Sequence, residues 1–265
     1  MNTKKLAVSL LLASVSLAGC NAQTQDSSLQ DIIERGEFIL GLDATFAPMG
    51  FTNDANEIVG FDIDIALEVT ERLGVELVLQ PIDWDAKVLE LNSGNIDAIW
   101  NGFTITPARR EEVSFSLPYL NNRQVVLTNV EGLDTLAELA DKKVGVQLQS
   151  SGQTALEAST IYTSIAEEVK FNTFDLAIAD LQAGRIDAVV IDEVMGRYIN
   201  AELGLPFTVL AEDLGDEEYG IGFRKDDLLL TERINEILLE MKEDGTAAAI
   251  SIEWFGEDIF LPSVE

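Results

Sequence analysis

Leu91-Asn92-Ser93-Gly94-Asn95-Ile96-Asp97-Ala98-Ile99 recurs, 90 positions later, as Leu181-Gln182-Ala183-Gly184-Arg185-Ile186-Asp187-Ala188-Val189. Each copy reads as the end of a helix, a Gly at the C-cap, and then a buried strand. The residues ahead of each copy carry apolar positions at helical spacing. These are Val88 and Leu91 in one, and Phe174, Ala177, Ile178 and Leu181 in the other. A helix–Gly–strand unit repeated this far apart predicts two similar α/β lobes. Within the repeat, Asp97 and Asp187 read as structural turn acids.

Working outward, the rest of the chain fits that plan. Phe38 to Leu42 and Val75 to Leu79 read as strands. Between them Phe61, Ile65, Val69 and Leu73 step by four along a helix that Gly74 ends. Leu133 to Leu139 reads as a helix and Lys143 to Leu148 as the first strand of the second lobe. Glu168 to Phe171 and Ile186 to Ile191 follow as strands, and Glu193 to Leu203 as a helix. Asp226 to Asp244 is a long amphipathic helix with Leu230, Ile234, Ile237, Leu238 and Met241 on its core face, closed by Gly245. The expected fold is two-lobed α/β, each lobe a mainly parallel sheet flanked by helices. Lobe I takes 29–122 and 215–265, and lobe II takes 127–210. The hinge is 123–126 and 211–214. Two crossings let one lobe close over the other. A ligand should then sit in the cleft, near strand C-termini and helix N-termini.

The 265 residues allow one large domain or two lobes of roughly 100–130 residues each. The formal net charge of −30 makes nucleic-acid binding improbable, because such a surface repels phosphate backbones. With no His and one Cys, Ser-His and Cys-His catalysis, His metal sites and internal disulfides are excluded. No metal and no cofactor is expected. Lys4 and Lys5, the apolar run Leu6–Leu17 and the small residues before Cys20 form a secretory signal pattern over 1–19. That run is too short to span a membrane. Residues 20–28 are small and polar after Cys20, as in a flexible tether.

Several polar groups fall at predicted strand ends. Asp43 follows the first strand. Asn101, Gly102 and Thr104 follow Ile96–Trp100. Gln147, Ser151 and Gly152 open a helix whose free amides suit an anion. Asp192 follows Ile186–Ile191, and Arg109 adds a cation. This set complements a zwitterion, with Arg109 and backbone amides on a carboxylate, and Asp192, the Gly102 carbonyl and the Thr104 hydroxyl on an ammonium. Blander readings stand beside it. Arg109 in an Ala-Arg-Arg-Glu-Glu run also fits a solvated helix. Asp192 also fits an N-cap, and Asp43 a turn toward Pro48. Phe46 and Trp84 fit core aromatics as well as a clamp on a ligand's aliphatic part. Trp100 reads as packed core.

The same residues resemble the polar amino-acid solute-binding proteins of bacterial ABC importers, over nearly all of residues 30–260. Gly41-Leu42-Asp43-Ala44-Thr45-Phe46-Ala47-Pro48 looks like that family's first-strand motif, and Val59-Gly60-Phe61-Asp62-Ile63-Asp64 is similar to a further element. Gly102-Phe103-Thr104-Ile105-Thr106-Pro107-Ala108-Arg109 with Phe115-Ser116-Leu117-Pro118-Tyr119 looks like its most specific signature. Ile186–Asp192 resembles the strand that ends in the ammonium-binding Asp, and Trp254-Phe255-Gly256 resembles the usual close. The resemblance implies a carboxylate held by Arg109, the Thr104 amide and an amide at Ser151 or Gly152. It implies an ammonium held by Asp192, Gly102 and Thr104, and a side-chain end lined by Asp43, Phe46, Trp84, Asn101 and Gln147. Leu17-Ala18-Gly19-Cys20 resembles a lipobox, which implies lipidation of Cys20 on the extracytoplasmic face of the cell membrane.

Trp100-Asn101, Trp84 and Gly152 depart from the common pattern where specificity is set. Asp43 and Asn101 favour a ligand side chain that bears donors, so a free polar or cationic L-amino acid, with Arg, Lys, Gln or cystine ahead of Glu or Leu. The implied partners are an ABC permease with a separate ATPase, since no P-loop appears here. The receptor is expected to be monomeric. The competing readings are an amino-acid-processing enzyme on the same fold, similar to arogenate/cyclohexadienyl dehydratases or to lytic transglycosylases, and an extracellular sensor module. Dehydratase work needs an acid or base near the substrate. Asp43 could serve, but the intact amino-acid constellation favours binding.

Overall fold

The computed structural model describes residues 26–202, 204 and 207–261. The signal segment 1–19, Cys20 and residues 20–25 of the expected tether lie outside the described residues. Along the chain, α1 (Ser28–Arg35) precedes β1 (Glu37–Leu42). A small antiparallel sheet follows, made of β2 (Thr45–Phe46), β3 (Gly50–Thr52) and β4 (Ile58–Val59). Next come α2 (Phe61–Leu73), β5 (Glu76–Pro81), α3 (Lys87–Asn92), β6 (Ala98–Ile99), α4 (Pro107–Glu112), β7 (Ser114–Phe115) and the long β8 (Leu120–Thr128). The second half holds β9 (Lys143–Gln147), α5 (Ser151–Ala158), β10 (Glu167–Phe171), α6 (Phe174–Gln182), β11 (Ala188–Asp192), α7 (Glu193–Glu202) and β12 (Thr208–Val209). The chain closes with β13 (Asp216–Tyr219), β14 (Gly222–Phe223), α8 (Leu228–Glu243) and α9 (Thr246–Phe255).

These elements build two sheets, one per lobe. The first has the order β5-β1-β6-β14-β7 and the second β10-β9-β11-β8-β12. Both are mixed. The trio β5-β1-β6 is parallel, as is β10-β9-β11, and each trio gains antiparallel strands on one side. Period-2 burial places alternate residues on opposite faces. Phe38, Leu40 and Leu42 of β1 join one apolar cluster, while Ile39 packs against another on the far face with Leu91, Ile96 and Phe103. Val144, Val146 and Val190 likewise sit opposite Val189 and Ile191.

The nine-residue echo has a physical cause. Gly94 and Gly184 both take left-handed geometry (φ +76 and +66), which turns the chain from helix to strand. Ile96 and Ile186 then lie over glycines of the adjacent strand. A Cβ on Gly41 would come 2.3 Å from Ile96 Cδ1, and one on Gly145 would come 2.6 Å from Ile186 Cδ1. Asp97 Oδ2 accepts from Ile39 N at 2.8 Å, and Asp187 Oδ2 accepts from Lys143 N at 2.8 Å. Each aspartate thus ties down the start of the strand beside it. Asp97 is also ion-paired with Arg35 and, at 3.5 Å, with Arg224.

Some elements differ from expectation. The helix expected over Leu133–Leu139 is one 3-10 turn, Leu136–Leu139, under a Thr135/Glu138 capping box. It stops because Ala140 returns to extended geometry and Asp141 takes φ +60 ahead of β9. The small sheet β2-β3-β4 was not anticipated. Its strands are only two or three residues long, too short to show alternation. The core stripe of α8 is as read, with Leu230, Ile234, Ile237, Leu238 and Met241 fully buried. Gly245 (φ +83) does not cap α8 alone but also opens α9. Strand β8 runs between the sheets. Its first half pairs β13 (Arg123 opposite Asp216, Leu120 opposite Tyr219) and its second half pairs β11 (Gln124 opposite Asp192, Thr128 opposite Ala188).

Candidate functional site

The lobes face each other across a small, partly open cavity. It is lined by Asp43, Phe46, Trp84, Asn101, Gly102, Thr104 and Arg109 from the first lobe, and by Gln147, Ser150, Ser151, Phe174 and Asp192 from the second. Ten of the eleven ligand-site residues read from the sequence therefore meet in one place. Gly152 does not line it. It lies in the first turn of α5, where a Cβ would come 2.6 Å from Gln124 Oε1. Its missing side chain lets α5 approach β8.

Arg109 is placed by α4, which Pro107 starts and Thr106 caps, its Oγ1 accepting from Arg109 N at 3.1 Å. The guanidinium lies 4.5 Å from the Phe103 ring centroid. Nη1 donates to Thr104 O at 2.8 Å, and Nη2 to Gln149 O at 3.3 Å on the opposite lobe. Burial lowers its pKa to about 10, so it stays protonated at neutral pH. The solvated-helix reading fails for Arg109 because α4 turns it inward, whereas its neighbour Arg110 is exposed. The Gln149 carbonyl also receives Lys87 Nζ at 3.2 Å. Burial first, and then the Arg109 charge, pull Lys87 down to about 7.

The loop between β6 and α4 is pinned from two sides. Asp62 Oδ2 accepts from Gly102 N at 2.7 Å and from Tyr119 OH at 2.9 Å. Full burial raises Asp62 to about 7. On the other side Thr104 bridges to Tyr219, through Ile105 N to Glu218 O at 2.8 Å and Gly220 N to Phe103 O at 3.0 Å. In that antiparallel pattern the N–H and C=O of Thr104 itself point away from β13. Gly102 has φ +57, and a Cβ there would fall 2.6 Å from Phe46 Cε1.

Asp192 is buried at the end of β11. Its Oδ1 accepts from Tyr219 OH at 2.7 Å, and from Asn122 Nδ2 and Gln124 Nε2 at 2.8 Å each. Burial, then the nearby Glu217 charge, raise its pKa to about 7. Asp43 unites both of its readings. Oδ1 accepts from Thr45 N and Oγ1, making a turn, while Oδ2 accepts from Gln147 Nε2 at 2.6 Å across the cleft. Burial raises its pKa. Asn101 Oδ1 accepts from Asp43 N at 3.2 Å, and its Nδ2 reaches Gly50 O at 3.4 Å. Phe46 and Trp84 are buried and line the cavity, and Trp84 meets Phe103 edge-on at 5.9 Å. Phe174, 5.8 Å from Phe46, closes the apolar side. Trp100 is core.

Sequence reasoning missed Glu217, Asn122, Gln124 and Tyr219. All four lie on the paired strands β8 and β13, outside the motifs that drew attention. The i, i+2 spacing of Asn122 with Gln124, and of Glu217 with Tyr219, was the available signal. Among the described residues no cluster of three or more acidic, His or Cys side chains could hold a metal, and no helix is long and apolar enough to cross a membrane.

The chain is 30% identical over 257 residues to the L-cystine-binding protein TcyJ of Escherichia coli (strain K12), covering 94% of each. Its fold matches an ABC uptake transporter substrate binding protein from Streptococcus pneumoniae with bound histidine, at a TM-score of 0.86 and 37% identity, over 89% of this chain and 99% of that one. It also matches the ancestral amino acid-binding protein AncCDT-1, a precursor of cyclohexadienyl dehydratase, at a TM-score of 0.78 and 32% identity, over 86% of this chain and 100% of that one. The fold is thus one used by binding proteins and ancestral to an enzyme. The model for bacterial extracellular solute-binding proteins, family 3, matches residues 38–257, and the chain belongs to that family.

Proposed function

We propose that the chain is an extracytoplasmic receptor that captures a polar or cationic L-amino acid between its lobes and delivers it to the permease of an ABC importer. The observation that carries this is the pairing of a half-buried cation, Arg109, with a buried carboxyl group, Asp192, on opposite lobes of one cavity. The ligand carboxylate sits on the Arg109 fork, the Thr104 amide and the amide of Ser151, where α5 begins behind its Ser150 cap. The ammonium sits on Asp192, the Gly102 carbonyl and the Thr104 hydroxyl. The side chain runs between Phe46 and Trp84 toward Asp43, Asn101 and Gln147. Asp43 favours donors there, so Arg, Lys, Gln and cystine suit the site better than Glu or Leu.

Residues 123–126 and 211–214 act as the hinge. The cross-lobe bonds Gln147–Asp43, Arg109–Gln149 and Lys87–Gln149 belong to the closed form that the permease receives. Cys20 carries a lipid that holds a monomeric receptor on the outer face of the membrane. We read the protein as a receptor rather than an enzyme because each polar cavity group has a place in holding an amino acid. Thermal-shift screening against the amino acids tests the proposal, since a bound ligand raises the melting temperature by mass action. Stabilisation by Arg, Lys, Gln or cystine is expected. Stabilisation only by Glu, Asp or branched aliphatics would overturn the ligand class.

A further inference from the structure

Glu217 does not line the cavity, yet it is the most heavily hydrogen-bonded acid around it. Its Oε2 lies 2.9 Å from Gln124 Nε2, 3.1 Å from Asn122 Nδ2, 3.1 Å from Thr104 Oγ1 and 3.3 Å from Ser151 Oγ. These partners come from β8 and from both lobes. A carboxylate only accepts, whereas a hydroxyl has one proton to give and can point it either way.

The directions can therefore be worked out. The two N–H groups of Gln124 Nε2 go to its shorter contacts, Asp192 and Glu217, and Ser151 Oγ at 3.1 Å is its third neighbour. The hydroxyls of Thr104 and Ser151 are 3.0 Å apart, and both reach Glu217 Oε2. With Glu217 as the acceptor of this cluster, the only proton of Thr104 points to Glu217, directly or through Ser151, so a lone pair of its oxygen remains for the cavity. That lone pair is what an ammonium N–H needs. Were Thr104 to point its proton into the cavity instead, it would meet an ammonium donor to donor and would suit a hydroxyl or keto oxygen. We infer that Glu217 is a positioning residue of the ammonium site, fixing Thr104 Oγ1 as an acceptor and so selecting an α-amino group over an α-hydroxyl or α-keto group. The inference rests on the amino-acid-receptor reading above, and it deepens the ammonium half of that site.

The probes are L-arginine and its α-hydroxy analogue, titrated calorimetrically into wild type, Glu217→Ala and Glu217→Gln, each first checked for cooperative melting. Glu217→Ala removes the terminal acceptor. It should weaken L-arginine by about tenfold or more, the scale of one charge-assisted hydrogen bond, while changing the hydroxy analogue by less than about threefold. Glu217→Gln can present an amide oxygen at the same place and should recover much of the preference for the amino group. The inference is overturned if Glu217→Ala keeps L-arginine within about twofold of wild type, weakens both probes alike, or is no less selective than Glu217→Gln.

A ligand-free readout separates failure of this inference from failure of the receptor reading. Asp192 is faced by Tyr219 and Glu217 from β13, by Asn122 and Gln124 from β8 and by the Arg109 charge from α4. Its pKa is raised to about 7, so the native state holds a proton that the unfolded chain has lost, and stability drops as pH rises from about 4 to about 7. Removing the Glu217 charge should flatten that drop. If L-arginine fails to bind wild type and the drop is flattened, the receptor reading fails on its ligand while Glu217 still abuts the site. If wild type and Glu217→Gln show the same drop, the inference fails whatever the ligand.

Discussion

Replacing Arg109 by Ala removes the one cation that can present two parallel donors to a ligand carboxylate in the cavity. The guanidinium is already oriented, with Nη1 on Thr104 O, Nη2 on Gln149 O and the Phe103 ring against its face. Little side-chain entropy is therefore left to lose on binding. A bidentate contact is two charge-assisted hydrogen bonds at roughly 1.5–3 kcal/mol each, or roughly 3–6 kcal/mol together. At about 1.4 kcal/mol per tenfold this is a loss of about 10²–10⁴ in affinity. Arg109→Lys keeps the charge but not the fork, so it should fall between, about tenfold to a hundredfold weaker than wild type. The fold should survive both changes, because Arg109 lies at a loop–helix junction and not in either apolar core. Isothermal calorimetry with the amino acid that stabilises wild type most reads the affinity, and melting without ligand reads the fold. An Arg109→Ala protein that melts like wild type and binds within about fivefold of it would refute the reasoning.

Asp62 offers a test of how the loop is held. Asp62→Ala orphans the Gly102 amide and the Tyr119 hydroxyl, costing about 2–4 kcal/mol in denaturant unfolding. Asp62→Asn keeps an acceptor oxygen and removes the charge. Burial raises Asp62 to about 7, so its contribution falls as pH rises from about 4 to about 7, and the Asn variant should lose less stability than wild type across that window. Equal pH profiles would contradict this. Gly102→Ala combines left-handed strain at φ +57 with a clash 2.6 Å from Phe46, for about 2–4 kcal/mol of destabilisation and weaker ligand binding. An unchanged melting temperature would mean that the loop relaxes without cost.

Much of this architecture was legible because it repeats. The unit around Ile96 and Ile186 needs a glycine under each isoleucine, a left-handed Gly before it and an aspartate after it, and all of these are fixed residue types. The cavity residues were legible where they follow strands or open helices, as Asp43, Gly102 and Asp192 do. Gly152, read as an amide for an anion, leaves the gap that α5 needs against β8, and an amide and a steric gap leave the same mark in a sequence. Glu217, Asn122 and Gln124 were hard to read because their i, i+2 spacing marks one face of a strand but not the strand that pairs with it. Their importance comes from pairing across β8 and β13, a contact between positions about 95 residues apart. The 3-10 turn at Leu136–Leu139 was overcalled as a helix because its leucines fit helical spacing while Asp141 gives little sign of taking positive φ.

The central claim is that both charged ends of an amino acid are held, the carboxylate anchored by Arg109 of one lobe and the ammonium by Asp192 of the other. The most direct measurement compares L-arginine with agmatine, the same molecule without its carboxylate, by calorimetry on the wild-type protein. The account predicts that agmatine binds about a hundredfold or more weakly, since Arg109 and the Thr104 and Ser151 amides are left without an anion. Agmatine binding as tightly as L-arginine would contradict it.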